Sequence, residues 1–499
     1  MTGVHSDSMK PYALAAAGLL LQASVVFGGE LSDDLSARRG RMLERLGPDA
    51  MAVLFSAPER NYSLDVDYEY RQDSNFYYLT GLVQQDSILV LMPGNASRRE
   101  ILFVTERNPE REHWNGRLLS RAEAAEVTGI RTVLGRREFE SFIGAMLGRR
   151  GSGDITESEA SAFFEALGAG RARVGLVLQA GGPADPLSPI QDFARRIRER
   201  YVGFQAVDIT AVLTDLRLIK TPYERKVLVK SLDISNDAQM AGMRAARPGG
   251  WEYEVEAAIE KVHRSRGAVS WSYPSIVASG PNATILHYSE NNRQMRAGEL
   301  LLVDAAANYE YMSGDITRTY PIGGTFTQNQ KDIYAIVLQA QEEAMKVARA
   351  GTPLSQVHDK TVEVIKAGLL KLGLITDASG DQYRMWYTHG ANHYIGIDVH
   401  DVGERTRPLQ PGMAFVIEPG IYIRQSALDT LPMTPDNRAL VDKIQPAVKK
   451  YQDIGVRIED AFLLEENGLR RLTAPVPRTI EEIETFMRKR GSAQTSAAR

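Results

Sequence analysis

Four carboxylates and a run of histidines stand in this chain where solvated side chains would not ordinarily be placed. Asp304 and Asp315 lie in LLVDAAANYEYMSGDITRTYP, each beside apolar or β-branched neighbours. The stretch reads as two strands, Leu301 to Ala307 and Asp315 to Tyr320, joined by a polar turn holding Tyr309, Ser313 and Gly314. Strands disfavour Asp, so the pair reads either as turn residues at strand ends or as ligands of a metal. Glu418 in AFVIEPGIYI and Glu459 in GVRIEDAFLL also sit inside apolar, strand-like runs. His389 and His393 lie in THGANHYIGIDVHDVG, which ends with His400 just before its last three residues. A buried carboxylate without a partner is costly. Two divalent cations would balance four such charges and leave a bridging hydroxide as nucleophile, which is the chemistry of metal-assisted hydrolysis.

The elements that must position these groups are legible around them. Thr221, Pro222 and Glu224 form a helix start, with Thr as cap, Pro at the first helical position and Glu reaching back. That helix runs to about Ala246 and ends at Arg247, Pro248, Gly249 and Gly250, and a second covers Glu252 to Arg266. Helices at Lys331 to Ala350 and Gln356 to Leu372 repeat the order of a helix pair followed by strands. This predicts a pseudo-duplicated α+β domain with a central antiparallel sheet. The stretch from Tyr422 to Ile454, with Pro432, Pro435 and Pro446, reads as a long loop between two segments that supply ligands.

At 499 residues the chain exceeds one core and calls for two domains or more. The proposed order is a leader over 1–30, an N-terminal mixed α/β domain over 31–212, a catalytic domain over 213–490 and a disordered tail over 491–499. In the first domain Leu31 to Leu46 reads as a helix, and Met51 to Ser56, Ser87 to Met92 and Ile101 to Thr105 read as strands. Its aromatics, among them Tyr68, Tyr70, Phe76, Tyr77, Tyr78 and Trp114, read mostly as core. Lys10 precedes an apolar run from Tyr12 to Gly28, the pattern of a secretory signal peptide. Export is therefore expected, with a cytoplasmic chain as the alternative and no membrane span in the mature body. The net charge of −4 offers no electrostatic case for nucleic acid. The arginines at 195, 196, 198 and 200 share their segment with Asp192 and Glu199 and read as a solvated helix face. With no cysteine there is no disulfide, thiolate site or Cys nucleophile.

With those residues in place, the chain resembles the Xaa-Pro aminopeptidases (aminopeptidase P) of the pita-bread metallopeptidase superfamily. The motifs that carry the resemblance are LHYSEN at Leu286 to Asn291, VDAAANYEYMSGDITRTYP, HGANHYIGIDVHDVG, IEPGIYI and GVRIED, with YRQDSNFYYLTG and EHWNGRLL in the N-terminal half. The resemblance implies a dinuclear site held by Asp304, Asp315, His393, Glu418 and Glu459. Asp315 and Glu459 would bridge the ions, Asp304 would hold one, and His393 and Glu418 the other. Oxygen-rich ligation with one imidazole suits Mn²⁺, with Zn²⁺ or Co²⁺ also able to bind. His287, His389 and His400 match pocket histidines, Glu418 the acid/base, and Tyr422 and Arg457 further substrate-binding residues. Trp114 matches a tryptophan that reaches the pocket of a neighbouring subunit, which implies a homodimer or homotetramer.

The implied substrates are peptides with proline second, whose tertiary amide ordinary aminopeptidases cut poorly. A prolidase restricted to Xaa-Pro dipeptides is the nearest alternative, and a non-catalytic peptide-binding module is the alternative from another class.

Overall fold

The computed structural model describes residues 25–178, 181–182, 184–432 and 434–497. The chain divides into two compact units, Met1–Leu213 and Thr214–Arg499.

The first unit runs α1 (Val25–Leu46), β1 (Ala50–Phe55), a small hairpin of β2 (Asn61–Ser63) and β3 (Val66–Asp67), α2 (Ser74–Thr80), β4 (Ile88–Leu91) and β5 (Glu100–Val104). It continues through α3 (Pro109–Asn115), α4 (Arg121–Thr128), β6 (Thr132–Gly135), α5 (Phe139–Leu147), α6 (Ser161–Gly168), β7 (Ala172–Leu176), α7 (Pro189–Arg200) and β8 (Phe204–Asp208). Six strands form one sheet in the order β6-β5-β4-β1-β7-β8, in which only β4 runs antiparallel to its neighbours. Central strands covered on both faces are continuously apolar, as AMAVLF in β1 and ILVL in β4 are. Helix α7 starts on a Ser188 cap with Pro189 behind it, buries Phe193, Ala194 and Ile197, and leaves Arg195, Arg196, Arg198 and Arg200 exposed.

Several expectations are revised here. Phe76 and Tyr78 are buried, but Tyr68 is 50% exposed and Trp114, on α3, is 84% exposed, so neither is core. Residues 1–24, which hold most of the expected leader, lie outside the described residues, and α1 already begins at Val25 rather than Leu31. The segment read as a disordered tail carries helical backbone as far as Ala497.

The second unit is entered through α8 (Thr210–Leu218) and built from two similar halves. The first half is α9 (Pro222–Ala245), α10 (Glu252–Ser265), β9 (Ser270–Trp271), β10 (Ile276–Ser279), β11 (Leu300–Asp304), β12 (Ala307–Tyr309), β13 (Met312–Ser313) and β14 (Thr317–Pro321). The second is α11 (Gln328–Val347), α12 (Leu354–Lys371), β15 (Ala414–Ile417), β16 (Gly420–Tyr422), α13 (Ser426–Asp429), α14 (Pro435–Tyr451), β17 (Gly455–Arg457) and β18 (Asp460–Glu465), closed by β19 (Gly468–Arg471) and α15 (Ile480–Ala497). In each half an outer antiparallel pair, β11 with β14 or β15 with β18, encloses an inner hairpin, β12 with β13 or β16 with β17. Both lead helices start on a threonine capping box, Thr221 with Glu224 and Thr327 with Gln330. The largest apolar core of this unit joins the two halves, from Ile259 and Val303 to Ile421 and Val456.

Two local readings of the sequence do not survive. The Asp304 region is four short strands rather than two: β11 stops at Asp304, and β12 and β13 form a separate hairpin that Glu310 and Tyr311, in left-handed backbone, turn tightly. Asp315 consequently lies between strands. The stretch from Tyr422 to Ile454 is mainly helical. Its prolines mislead because Pro435 occupies the first turn behind a Thr434 cap, where no N–H is needed, and Pro446 sits inside the helix. Ile444, Val448 and Tyr451 then bury one face in the core.

Candidate metal centre

Each carboxylate occupies the same kind of place in its half. Asp304 ends β11, and Glu418 follows directly on β15. Asp315 lies between β13 and β14, and Glu459 between β17 and β18. The duplication therefore supplies one pair of carboxylates per half, at the points where an outer strand passes into or out of the inner hairpin. The halves meet through Glu459, whose backbone N–H donates to Thr317 O (3.1 Å) and whose Oε2 accepts from Thr317 Oγ1 (2.8 Å).

Asp304, Asp315 and Glu459 are buried. Ligand atoms of Asp315, His393 and Glu459 lie within 4.8 Å of one another. His393 Nε2 is 3.4 Å from Asp315 Oδ2 and 3.7 Å from Glu418 Oε1. Burial, together with the charges of Asp315, Asp304 and Glu418, pushes the Glu459 carboxyl well up. Burial also raises Asp304, against Arg457 and with Asp315, and raises Glu418 to about 7 against His393 and Arg457. Without cations, this cluster is mutually repulsive.

Two details show that the donor set suits cations. Tyr273 Oη lies 2.5 Å from Asp304 Oδ1 and 2.7 Å from Asp315 Oδ1, yet a phenol has one proton to give. Both contacts are favourable only if a carboxyl is protonated or positive charge is close by. The second detail is the orientation of His393. Its Nδ1 is 3.0 Å from Tyr394 O, which can only accept, so Nδ1 carries a proton and Nε2 faces two carboxylate oxygens, placed to ligate a cation or, when protonated, to donate to Asp315. That is the usual arrangement of a ligating imidazole held by a carbonyl. With no cation, burial lowers its affinity for protons, but the Asp315 hydrogen bond and the Glu418 charge outweigh this and carry it to about 9.

Arg457 spans the floor of the site. Its Nη2 donates to Asp304 Oδ2 (2.7 Å), Nη1 to Tyr422 Oη (3.0 Å) and Nε to Thr317 Oγ1 (3.2 Å). Tyr422 Oη in turn lies 2.8 Å from His389 Nε2, while His389 Nδ1 is 2.7 Å from Gly390 O. The carbonyl requires the proton on Nδ1, so Tyr422 donates to Nε2 and both ring nitrogens are engaged. Burial and the Arg457 charge lower His389 to about 3 and keep it neutral. His400 stands at the rim of the site with its ring 4.2 Å from that of His393, and partial desolvation of its imidazole, with the His393 charge, lowers its pKa. His287 is exposed, close enough for its charge to act on His389 and His400.

The structure thus gathers Asp304, Asp315, His393, Glu418, Glu459, His389, His400, His287, Tyr422 and Arg457 in one place. Trp114 belongs to the first unit and stands in solvent there. The sequence reading passed over Tyr273, Thr317 and His358, the last accepting the Ala391 N–H through Nδ1 (3.1 Å) between the two motif histidines. None is a carboxylate in an apolar run.

A duplicated fold whose strand ends converge as buried carboxylates around an inward histidine defines a metallohydrolase. Residues 226–466 match the model of metallopeptidase family M24, and residues 35–155 that of the aminopeptidase P N-terminal domain. The Xaa-Pro aminopeptidase of Escherichia coli is 33% identical over 467 residues, covering 91% of this chain and 97% of that protein. Human Xaa-Pro aminopeptidase 3 is 30% identical, covering 88% and 81%. Among solved structures, Pseudomonas aeruginosa aminopeptidase PepP superposes with a TM-score of 0.77 at 35% identity, covering 92% of this chain and 99% of that one. Escherichia coli aminopeptidase P with the inhibitor Pro-Leu gives 0.77 at 32%, with the same coverage. The chain belongs to the Xaa-Pro aminopeptidase family of M24 metallopeptidases, and its site is that of a metal-dependent exopeptidase.

Proposed function

We propose that the protein removes the N-terminal residue from peptides whose second residue is proline. The observation that carries this is the convergence of Asp304, Asp315, His393, Glu418 and Glu459, from two halves of a fold shared over nearly the full length of the Escherichia coli enzyme. Asp304, Asp315, His393, Glu418 and Glu459 would together hold two divalent ions. Carboxylate-rich ligation favours Mn²⁺, with Zn²⁺ and Co²⁺ as substitutes. Such ions, when bound, supply charge neutralisation and Lewis-acid activation of water.

The chain's own residues do the rest. Arg457 and Tyr273 hold the Asp304 carboxylate in place, and Arg457 with Tyr422 fixes the tautomer of His389. Glu418 holds or releases a proton at the reacting amide, and His287 and His400 line the approach. Trp114 stands in solvent as a residue that contacts a second copy would, consistent with a homodimer or homotetramer. The apolar run behind Lys10 supports export, and no helix among the described residues is long and apolar enough to cross a membrane. Sequencing the N-terminus of protein expressed from the full reading frame tests the export reading. A mature start near Gly29 or Glu30 supports it, and an intact cytosolic chain refutes it.

The activity is tested with Xaa-Pro-Yaa and Xaa-Ala-Yaa tripeptides and an Xaa-Pro dipeptide, after loading metal-free protein with Mn²⁺. Preferential release of the first residue from Xaa-Pro-Yaa is expected. Cleavage of the dipeptide alone would reassign the protein as a prolidase.

A further inference from the structure

The duplication that places the carboxylates also places two buried glutamines. Gln239 on α9 and Gln341 on α11 are fully buried, and each lies six residues before the last residue of its helix. Gln239 Nε2 donates to Ala305 O (3.1 Å) and Ile316 O (3.0 Å). Those carbonyls belong to the residues immediately after Asp304 and Asp315. Gln341 Nε2 donates to Ile417 O (2.9 Å) and Ile458 O (3.2 Å), the residues immediately before Glu418 and Glu459. One amide has two N–H groups, and in each half the two are spent on the two strand ends that carry that half's carboxylates.

We propose that Gln239 and Gln341 are positioning residues of the metal centre, each clipping together the backbone on either side of one carboxylate pair. The inference rests on the metal-binding reading of the site. Two observations separate it from ordinary core satisfaction. Gln239 Oε1 is buried without a hydrogen-bond partner among the described residues, so the fold tolerates an unpaired acceptor to keep the N–H groups where they are. Gln341 Oε1, by contrast, accepts from Arg478 Nη1 (2.8 Å), so that amide is held in one orientation from behind. The partner of Oε1 differs between the halves, while the pair of donations to ligand-bearing strand ends is common to both. Four mutually repelling carboxylates spread unless their main chains are tied. A side chain that crosses from one strand end to the other does this without entering the site.

The test is calorimetric titration of the metal-free full chain with Mn²⁺, with thermal unfolding of the same metal-free samples. Gln239→Met and Gln341→Met should bind Mn²⁺ about 10–100-fold more weakly than the parent. Val337→Ala, a buried change on α11 that removes no hydrogen bond, should lower the melting temperature without weakening Mn²⁺ binding. Gln341→Asn keeps the amide but withdraws it by one methylene, so it should weaken binding as well and serves if the methionine variant does not fold. Unchanged affinity in the glutamine variants overturns the proposal, as does an equal loss in Val337→Ala. A parent chain that binds no Mn²⁺ overturns the metal reading first and this inference with it.

Discussion

Arg457 Nη2 lies 2.7 Å from Asp304 Oδ2, so one of the clustered carboxylates has a fixed cationic partner before any metal arrives. The two residues are 153 positions apart and come from different halves of the duplicated unit. The pair therefore ties the halves together electrostatically as well as through the core. Breaking a buried pair from one side leaves an uncompensated charge, which costs more than the pair contributes.

Arg457→Met should accordingly lower the unfolding free energy of the metal-free protein by roughly 3–5 kcal/mol at neutral pH. The loss should shrink as pH falls, because Asp304 can then take up the proton that burial already favours. Denaturant unfolding at pH 7 and pH 5 checks this. Equal losses at both would mean that Asp304 is not the group left exposed to the missing charge.

Metal removal should destabilise the protein as well as silence it. Four carboxylates gathered around His393 repel one another, and ligand binding to the folded state alone adds stability by mass action. After verified chelation the melting temperature should drop, and Mn²⁺ should restore it. Asp315→Asn, which removes a proposed metal ligand, should lose at least one bound metal by elemental analysis and nearly all peptidase activity. Near-normal turnover would sink the dinuclear assignment.

His263, on the buried face of α10, has neither ring nitrogen hydrogen-bonded among the described residues. Burial lowers its pKa from 6.5 to about 4. The folded state thus holds it neutral, while the unfolded chain takes up a proton below about 6.5. Its contribution to stability is full above that pH and is lost as pH falls from 6.5 toward 4, reaching about 3 kcal/mol. His263→Leu should flatten that part of the stability profile. An unchanged acid slope would point to other groups.

The inserted α14 makes a prediction of its own. Ile444 is fully buried in the core of the catalytic unit, so Ile444→Ala should cost about 2–5 kcal/mol. A surface loop at that position would register within roughly half a kcal/mol. Thermal or denaturant unfolding distinguishes the two.

How much of this was legible beforehand differs from element to element. The Thr221 cap with Pro222 and Glu224 is a local signal, since all of its hydrogen bonds close within one turn, and the structure reproduces it. The helix-pair order of the two halves was legible for the same reason. Asp304, Asp315, Glu418 and Glu459 stood out because charge in an apolar run is conspicuous whatever the fold. Proline as a helix breaker misleads at α14, where Pro435 sits in the first turn and Pro446 stands exposed in a helix whose other face packs. Tyr273, Thr317 and the two buried glutamines carried no signal, since neutral polar residues are ordinary in any strand or helix.

Residue type, periodicity and local capping, which depend on near neighbours, are what the chain alone determined: two domains, a duplicated helix-and-strand order, and the side chains able to hold metal. Tertiary structure decided who meets whom. It set Arg457 against Asp304, put one phenol between two carboxylates, and brought His393 Nε2 up to Asp315. Those contacts join residues 31 to 153 positions apart, and their energies depend on strand order and burial, which no local pattern encodes.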